Sequence, residues 1–125
     1  MSGLLLDTHV LLWLMGAPRQ LSLATRKRID LAQVLVSAAS LWEITIKVGL
    51  GKLDADPGEI WRALEPAGIS ALPIAPEHAL AVARLPPLHG DPFDRMLVAQ
   101  ARFEGLTLLT RDAAVLAYGQ GVERA

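Results

Sequence analysis

Four short apolar runs, separated by stretches with helical spacing, most constrain the fold of this chain. The runs cover residues 4–6, 34–36, 69–74 and 106–109. Continuous apolar runs of this length are typical of strands that are buried on both faces. Strands that alternate with helices pair in parallel, and their crossover connections place helices on both sides of the sheet. The pattern therefore predicts a three-layer α/β/α fold around a central parallel sheet.

The intervening segments carry helix signals of different strength. Residues 91–104 form the best-defined helix, because apolar residues recur at spacings of three and four and Gly105 follows as a stop. A first helix begins at the capping residues Asp7 or Thr8 and continues to Met15. The further predicted helices cover residues 23–32, 57–65, 76–85 and 112–118.

Residues 41–48 have an ambiguous pattern. Trp42, Ile44, Ile46 and Val48 alternate with polar residues or glycine, which taken alone favours a half-buried strand. As a helix, the same segment would be apolar on nearly all sides. The local pattern therefore favours a strand.

Charge, length and cysteine content exclude several classes of protein. Twelve basic and thirteen acidic residues give a net charge of −1, which argues against binding nucleic acid through bulk positive charge. The length of 125 residues suits one domain, over residues 1–125. No cysteine is present, which excludes disulfides and cysteine-ligated metals. Asp7 and His9 interrupt the apolar N-terminal segment, so we expect a cytoplasmic protein without a membrane segment.

Common nucleotide-binding and catalytic motifs are incomplete in this sequence. Residues 49–53 lack the earlier glycine and the Ser or Thr of a phosphate-binding loop. Residues 68–72 lack the second glycine of a nucleophile elbow. The histidines at positions 9, 78 and 89 do not have the paired spacing of a zinc site. The remaining candidates for chemistry are carboxylates.

Four acids are expected at one edge of the predicted sheet. Asp7 follows the first strand and Asp112 the fourth, and the carboxyl ends of parallel strands share one crevice. Asp94 lies one turn into the best helix, and Glu43 joins the group if its segment follows the second strand directly. Clustered carboxylates bind hard cations such as Mg²⁺ or Mn²⁺. Without a metal, they should raise some of their own pKa values.

Each acid also has an ordinary structural interpretation. These are a helix N-cap for Asp7, Asp91 and Asp112, an acid favoured by the helix dipole for Asp94, and an i,i+4 ion pair with Lys47 for Glu43. Taken one at a time, the acids do not distinguish these roles from metal binding.

Four motifs that contain the acids follow one another along the chain. They are Leu-Leu-Leu-Asp-Thr-His-Val-Leu-Leu-Trp at 4–13, Ser-Leu-Trp-Glu-Ile at 40–44, His-Gly-Asp-Pro-Phe-Asp-Arg-Met-Leu-Val-Ala-Gln-Ala at 89–101, and Leu-Thr-Arg-Asp at 109–112. Together they resemble the motifs of the PIN-domain ribonucleases, most of all the VapC toxins of prokaryotic toxin–antitoxin pairs. The resemblance extends from about residue 4 to residue 119. It implies a PIN-like fold with four to five parallel strands, the fifth being short and following Gly119. It also implies that Glu43 lies on a helix, against the local strand pattern.

The resemblance also implies a set of site residues. The four acids, Asp7, Glu43, Asp94 and Asp112, would be catalytic and would bind the metal, which is Mg²⁺ with Mn²⁺ as the alternative. Thr8, Thr110 and Asp91 would support these acids, and Arg95 and Arg111 would contact the RNA phosphates. The basic residues 26–28 are a remoter candidate for phosphate contact, although a solvated helix face accounts for them more simply.

The implied activity is hydrolysis of RNA phosphodiester bonds, leaving a 5′-phosphate and a 3′-hydroxyl. The implied partners are the RNA substrate, a second copy of the chain and a VapB-like antitoxin that lays an apolar segment into a groove. Leu12, Trp13 and Trp42 are candidates for that groove, although packing in the core is the simpler expectation for each.

Three other functions remain open at this point. A PIN-domain nuclease that processes RNA without being a toxin would use the same chemistry. A phosphotransferase of the haloacid dehalogenase type needs a second Asp where His9 stands. A binding module without activity would be signalled by missing acids, and all four are present.

Overall fold

The computed structural model describes residues 3–125 and has a five-stranded sheet at its centre. The strands are β1 (Leu4–Leu6), β2 (Val34–Ser37), β3 (Ile69–Leu72), β4 (Thr107–Thr110) and β5 (Val122–Arg124). Their order is β3-β2-β1-β4-β5, and every pair of neighbours is parallel. The predicted parallel sheet is confirmed, with a short fifth strand, and β3 ends two residues before the predicted boundary.

Seven α-helices connect the strands in the described part of the chain. They are α1 (Thr8–Gly16), α2 (Leu23–Leu31), α3 (Ala38–Gly49), α4 (Pro57–Leu64), α5 (Pro76–Ala81), α6 (Pro92–Glu104) and α7 (Ala113–Leu116), with 3₁₀ turns at Pro18–Gln20 and Val82–Arg84. The helix predicted over 112–118 is therefore shorter, and the one predicted over 76–85 ends in a 3₁₀ turn. Within residues 3–125, no helix is long and apolar enough to cross a membrane.

Two hydrophobic cores lie on opposite faces of the sheet. Leu4 and Leu6 of β1 pack into one core with residues from α1 to α4. Leu5, between them, packs into the other core with residues from α6 and α7. Because neighbouring side chains of a strand point to opposite faces, a run of three buried leucines requires cover on both sides. This arrangement confirms the predicted three layers.

The strand that the local pattern predicts over residues 41–48 is wrong, since the segment lies within α3. Ser37 caps this helix by accepting a hydrogen bond at 2.9 Å from the Ala39 N–H. The alternating apolar residues do not share one environment, because Ile44 is fully buried whereas Trp42 is 59% exposed. The helix is thus apolar on several sides, and a core position for Trp42 is also excluded. The helix implied by the family resemblance is correct.

The sheet edge at the carboxyl ends of β1 and β4 carries the candidate site. Asp7 follows β1 directly, and its backbone N–H donates to the Leu109 carbonyl at 3.0 Å. The chain enters β4 after Gly105, which ends α6 with φ of 69°. Glycine suits this left-handed backbone conformation, because glycine has no Cβ to clash with the backbone.

Candidate active site

Asp7 is buried at the start of α1 and is held through both carboxylate oxygens. Oδ1 accepts a hydrogen bond from the Thr8 N–H at 2.7 Å, and Oδ2 accepts one from the Thr110 hydroxyl at 2.6 Å. Only 3% of Asp7 is exposed. Burial raises the pKa of Asp7 above its ordinary value, although both hydrogen bonds oppose that shift.

Glu43 lies in the second turn of α3 and is linked to Asp7 through Thr8. The Thr8 hydroxyl donates to Glu43 Oε1 at 2.7 Å and lies 2.9 Å from the Ser40 hydroxyl oxygen. Thr8 therefore contacts one acid through its backbone and the other through its side chain. Lys47, one turn further along α3, donates from Nζ to Glu43 Oε2 at 2.7 Å.

Asp94 occupies the first turn of α6, beside the capping residue Asp91. Asp91 Oδ1 accepts hydrogen bonds from the backbone N–H groups of Phe93 and Asp94 at 2.9 and 3.0 Å. Burial raises the pKa of Asp94 to about 7, and the negative charges of Asp91, Asp7 and Glu43 add to that shift. The metal-free site therefore favours the protonated form of this carboxyl group more than water does.

These four acids, Asp7, Glu43, Asp91 and Asp94, are called the carboxylate cluster below. The structure brings them together from the caps of α1 and α6, the first turn of α6 and the second turn of α3, and the charges of the other three act on Asp94. Lys47 is the cation of the cluster, because its bond to Glu43 and the charges of Asp91 and Asp94 raise its pKa. Residues distant in sequence thus form one charged site.

The donor set of the cluster fits a hard divalent cation. Carboxylate oxygens are the ligands that Mg²⁺ and Mn²⁺ prefer. Positive charge would also relieve the mutual repulsion that adds to the effect of burial on the pKa of Asp94. Within residues 3–125, no three acidic or histidine side chains already surround a common ion position. The carboxylate oxygens instead contact donors from Thr8, Lys47, His89 and Thr110.

Asp112 is connected to this site through Thr110. The Asp112 N–H donates to the Thr110 hydroxyl oxygen at 3.1 Å, and that hydroxyl donates to Asp7. Asp112 Oδ1 caps α7 by accepting from the Ala114 N–H at 2.8 Å. Asp112 is exposed and lines a cleft with Asp7, so it stands beside the cluster.

The ordinary structural interpretations of the acids hold together with the clustering. Asp7, Asp91 and Asp112 each cap a helix. Glu43 and Lys47 form the i,i+4 ion pair. Since a carboxylate oxygen has two lone pairs, a capping bond leaves it able to bind a further partner. The structural and the chemical roles are therefore compatible at these positions.

Sequence reasoning missed His89 and Tyr118. His89 Nε2 lies 3.2 Å from Asp94 Oδ2, and its Nδ1 lies 2.8 Å from the Tyr118 hydroxyl. Tyr118 is 6% exposed. The signal for His89 was its place in the motif at 89–101, two residues before Asp91, whereas nothing in the sequence linked Tyr118 to the site.

The two arginines next to the acids have different surroundings. Arg95 donates to the carbonyls of Pro86 and Val82 and to the Tyr118 hydroxyl, which ties the segment before α6 to the C-terminal part of the chain. Arg111 is exposed and lines the same cleft as Asp7. Contact with RNA stays a prediction for both, and Arg111 is the better placed of the two. In the basic segment 26–28, Arg28 pairs with Glu123 at 2.9 Å.

Comparison with known proteins places the chain in a family. The model of the PIN domain family matches residues 4–119. A curated relative, Ribonuclease VapC22 of Mycobacterium tuberculosis (strain ATCC 25618 / H37Rv), is 32% identical over 115 residues. This match covers 90% of the present chain and 88% of the relative.

Solved structures share the fold at lower sequence identity. The crystal structure of DNA bound VapBC from Salmonella typhimurium matches with a TM-score of 0.71 and 16% identity, and covers 100% of this chain and 98% of its own. The crystal structure of FitAcB from Neisseria gonorrhoeae matches with a TM-score of 0.66 and 22% identity, and covers 97% and 95%. At these identities, the likeness concerns the fold.

Proposed function

Because this chain belongs to the PIN domain family, we propose that it is a metal-dependent endoribonuclease of the VapC type, the toxin of a toxin–antitoxin pair. The observation that carries the proposal is the carboxylate cluster. It gathers three of the four acids expected from the motifs, in a chain that is 32% identical to a named ribonuclease. The fourth acid, Asp112, joins the site through Thr110.

Asp7 and Asp94 would hold Mg²⁺ or Mn²⁺ most directly, and Glu43 and Asp112 would complete the ligand set. When bound, such an ion stabilises negative charge on a phosphodiester and makes a water molecule more acidic. The order of the acids in the chain and their common sheet edge support this assignment.

The neighbouring side chains of this protein orient the acids. Thr8 and Thr110 hold Asp7 from two sides, so its carboxylate is fixed before any ligand binds. His89 contacts Asp94 and is itself held by Tyr118, which limits how the Asp94 carboxylate can turn. Contacts of this kind commonly affect metal affinity or activity by about 10-fold to 100-fold.

The activity test is RNA cleavage by Asp94→Asn. We expect metal-dependent cleavage to fall by roughly 100-fold or more, because one charged ligand is lost while the shape of the side chain is kept. Asp56→Asn makes the same change at the exposed start of α4 and should cleave as the wild type does. Cleavage retained by Asp94→Asn would contradict the site assignment, and mapped ends other than a 5′-phosphate and a 3′-hydroxyl would contradict the reaction.

The partners proposed are a VapB-like antitoxin and a second copy of this chain. Support for the antitoxin comes from the matching VapBC structure and from the exposed Trp42. The Trp42 ring meets the Phe93 ring edge to face on the surface of α3 and α6, with 5.2 Å between the ring centroids. Expression of the chain in the cytoplasm should arrest growth, and coexpression of the neighbouring gene should restore it. Growth without arrest, together with RNA cleavage in vitro, would instead favour a processing nuclease. Size-exclusion chromatography with light scattering tests the homodimer.

A further inference from the structure

A cleft of about 300 Å³ beside the carboxylate cluster has a lining that metal binding alone does not explain. It is lined by Asp7, His9, Trp13, Arg111 and Asp112. Asp7 is buried, whereas His9, Arg111 and Asp112 are exposed. The cleft therefore leads from solvent to the acid that begins α1.

Two aromatic rings stand on the same face of α1. His9 and Trp13 are four residues apart, so one helical turn brings their side chains together. Their ring centroids are 6.1 Å apart and their planes differ by 42°. Trp13 is partly buried against the hydrophobic core, whereas His9 is exposed. One ring is thus held by the core, and the other faces solvent.

Arg111 directly follows β4, and its guanidinium lies over the indole ring of Trp13. Its guanidinium carbon lies 5.1 Å from the Trp13 ring centroid, a cation–π contact. Arg111 Nη1 also donates to the Gln20 carbonyl. Two contacts therefore hold this guanidinium at the margin of the cleft, next to Asp112.

The aromatic rings and the planar guanidinium of this cleft suit an unpaired nucleobase. Proteins recognise single-stranded RNA by stacking its bases on aromatic rings and on arginine guanidinium planes. A phosphate group could pair with Arg111, but it would gain little from the two aromatic rings. We propose that this cleft binds the nucleobase next to the scissile phosphodiester, stacked against His9 and Arg111, with Trp13 positioning both. This inference rests on the proposed ribonuclease function.

The test is a scan of an oligoribonucleotide that contains one mapped cleavage site. Each nucleotide near the site is replaced in turn by an abasic ribonucleotide, and kcat/KM is measured with the full chain and Mg²⁺ or Mn²⁺. For the wild type, loss of the base at one position adjacent to the cleaved bond should lower kcat/KM by about 5-fold to 150-fold, the usual contribution of one stacked base.

Three variants separate stacking from other effects. His9→Ala should lose a similar factor on the intact RNA, and base removal at that position should then cost little more. His9→Phe should keep the dependence on the base, because it keeps a ring. Phe103→Ala removes another exposed aromatic ring, one that contacts His78 away from the cleft, and should behave as the wild type does. Circular dichroism confirms that each variant is folded.

The outcomes distinguish failure of the cleft from failure of the enzyme. Equal base dependence in His9→Ala and the wild type, or cleavage with no dependence on any neighbouring base, would overturn the cleft proposal alone. Absence of cleavage by the wild type with either metal would refute the ribonuclease proposal and the cleft with it.

Discussion

Replacing Asp94 by Asn should stabilise the metal-free protein at neutral and alkaline pH. The folded structure raises the pKa of Asp94 from 3.8 to about 7, mainly through burial. Between these two values the folded state binds more protons than the unfolded state, so stability falls as the pH rises through this window. Asn carries no charge and keeps the shape of the side chain, so the variant avoids this loss.

The magnitude follows from the two pKa values. The difference between 3.8 and about 7 corresponds to roughly 4 kcal/mol, which is an upper limit above pH 7. The Asp94 side chain is 13% exposed, so screening by water lowers the expected gain to about 2 kcal/mol. Near pH 4 the gain should vanish, because Asp94 is then protonated in the folded state.

The assay is urea unfolding of both proteins in EDTA, followed by tryptophan fluorescence, at several values between pH 4.5 and pH 8. The stability difference between Asp94→Asn and the wild type should grow with pH. Asp56→Asn is the control, and its difference from the wild type should stay small and independent of pH. In a separate titration without EDTA, Mg²⁺ should stabilise the wild type more than Asp94→Asn, because a bound cation favours the ionised form of Asp94 and offsets the repulsion from its neighbouring acids.

Two results would refute this reasoning. One is a metal-free Asp94→Asn variant that is less stable than the wild type at pH 8. The other is a stability difference that does not change with pH. Either result would mean that the folded structure does not destabilise the ionised form of Asp94.

Three further changes test the contacts around the cluster. Thr110→Val removes the buried hydroxyl that donates to Asp7 and should lower the free energy of unfolding by about 1–3 kcal/mol, measured by urea titration. Tyr118→Phe frees His89 and should lower kcat about 10-fold while circular dichroism stays unchanged; an unaltered kcat would argue against the positioning role. Lys47→Gln removes the ammonium group that competes with a metal for the acids of the carboxylate cluster, so Mn²⁺ should bind about fivefold more tightly, as measured by calorimetry. Weaker Mn²⁺ binding would contradict this competition.

The parallel sheet and the outline of the site could be predicted from local patterns and motifs. A run of apolar residues such as Leu4–Leu6 must be covered on both faces in any fold. A buried strand can therefore be predicted from the run itself, without knowledge of distant residues. The family resemblance also placed Glu43 on a helix, where the local alternation of apolar residues pointed to a strand. That alternation misled because a helix that contacts both α1 and α6 is apolar on several sides.

The sequence by itself determined which acids are present, their order, and the strand ends after which Asp7 and Asp112 follow. Only the tertiary structure decided how these acids are held and charged. Thr110 reaches Asp7 across 103 positions of sequence, and Tyr118 reaches His89 across 29. Clustered acids are expected to raise some of their pKa values, but the large shift at Asp94 comes from its burial and from the charges that the fold places around it. Such effects depend on distances in space, and a linear pattern does not contain them.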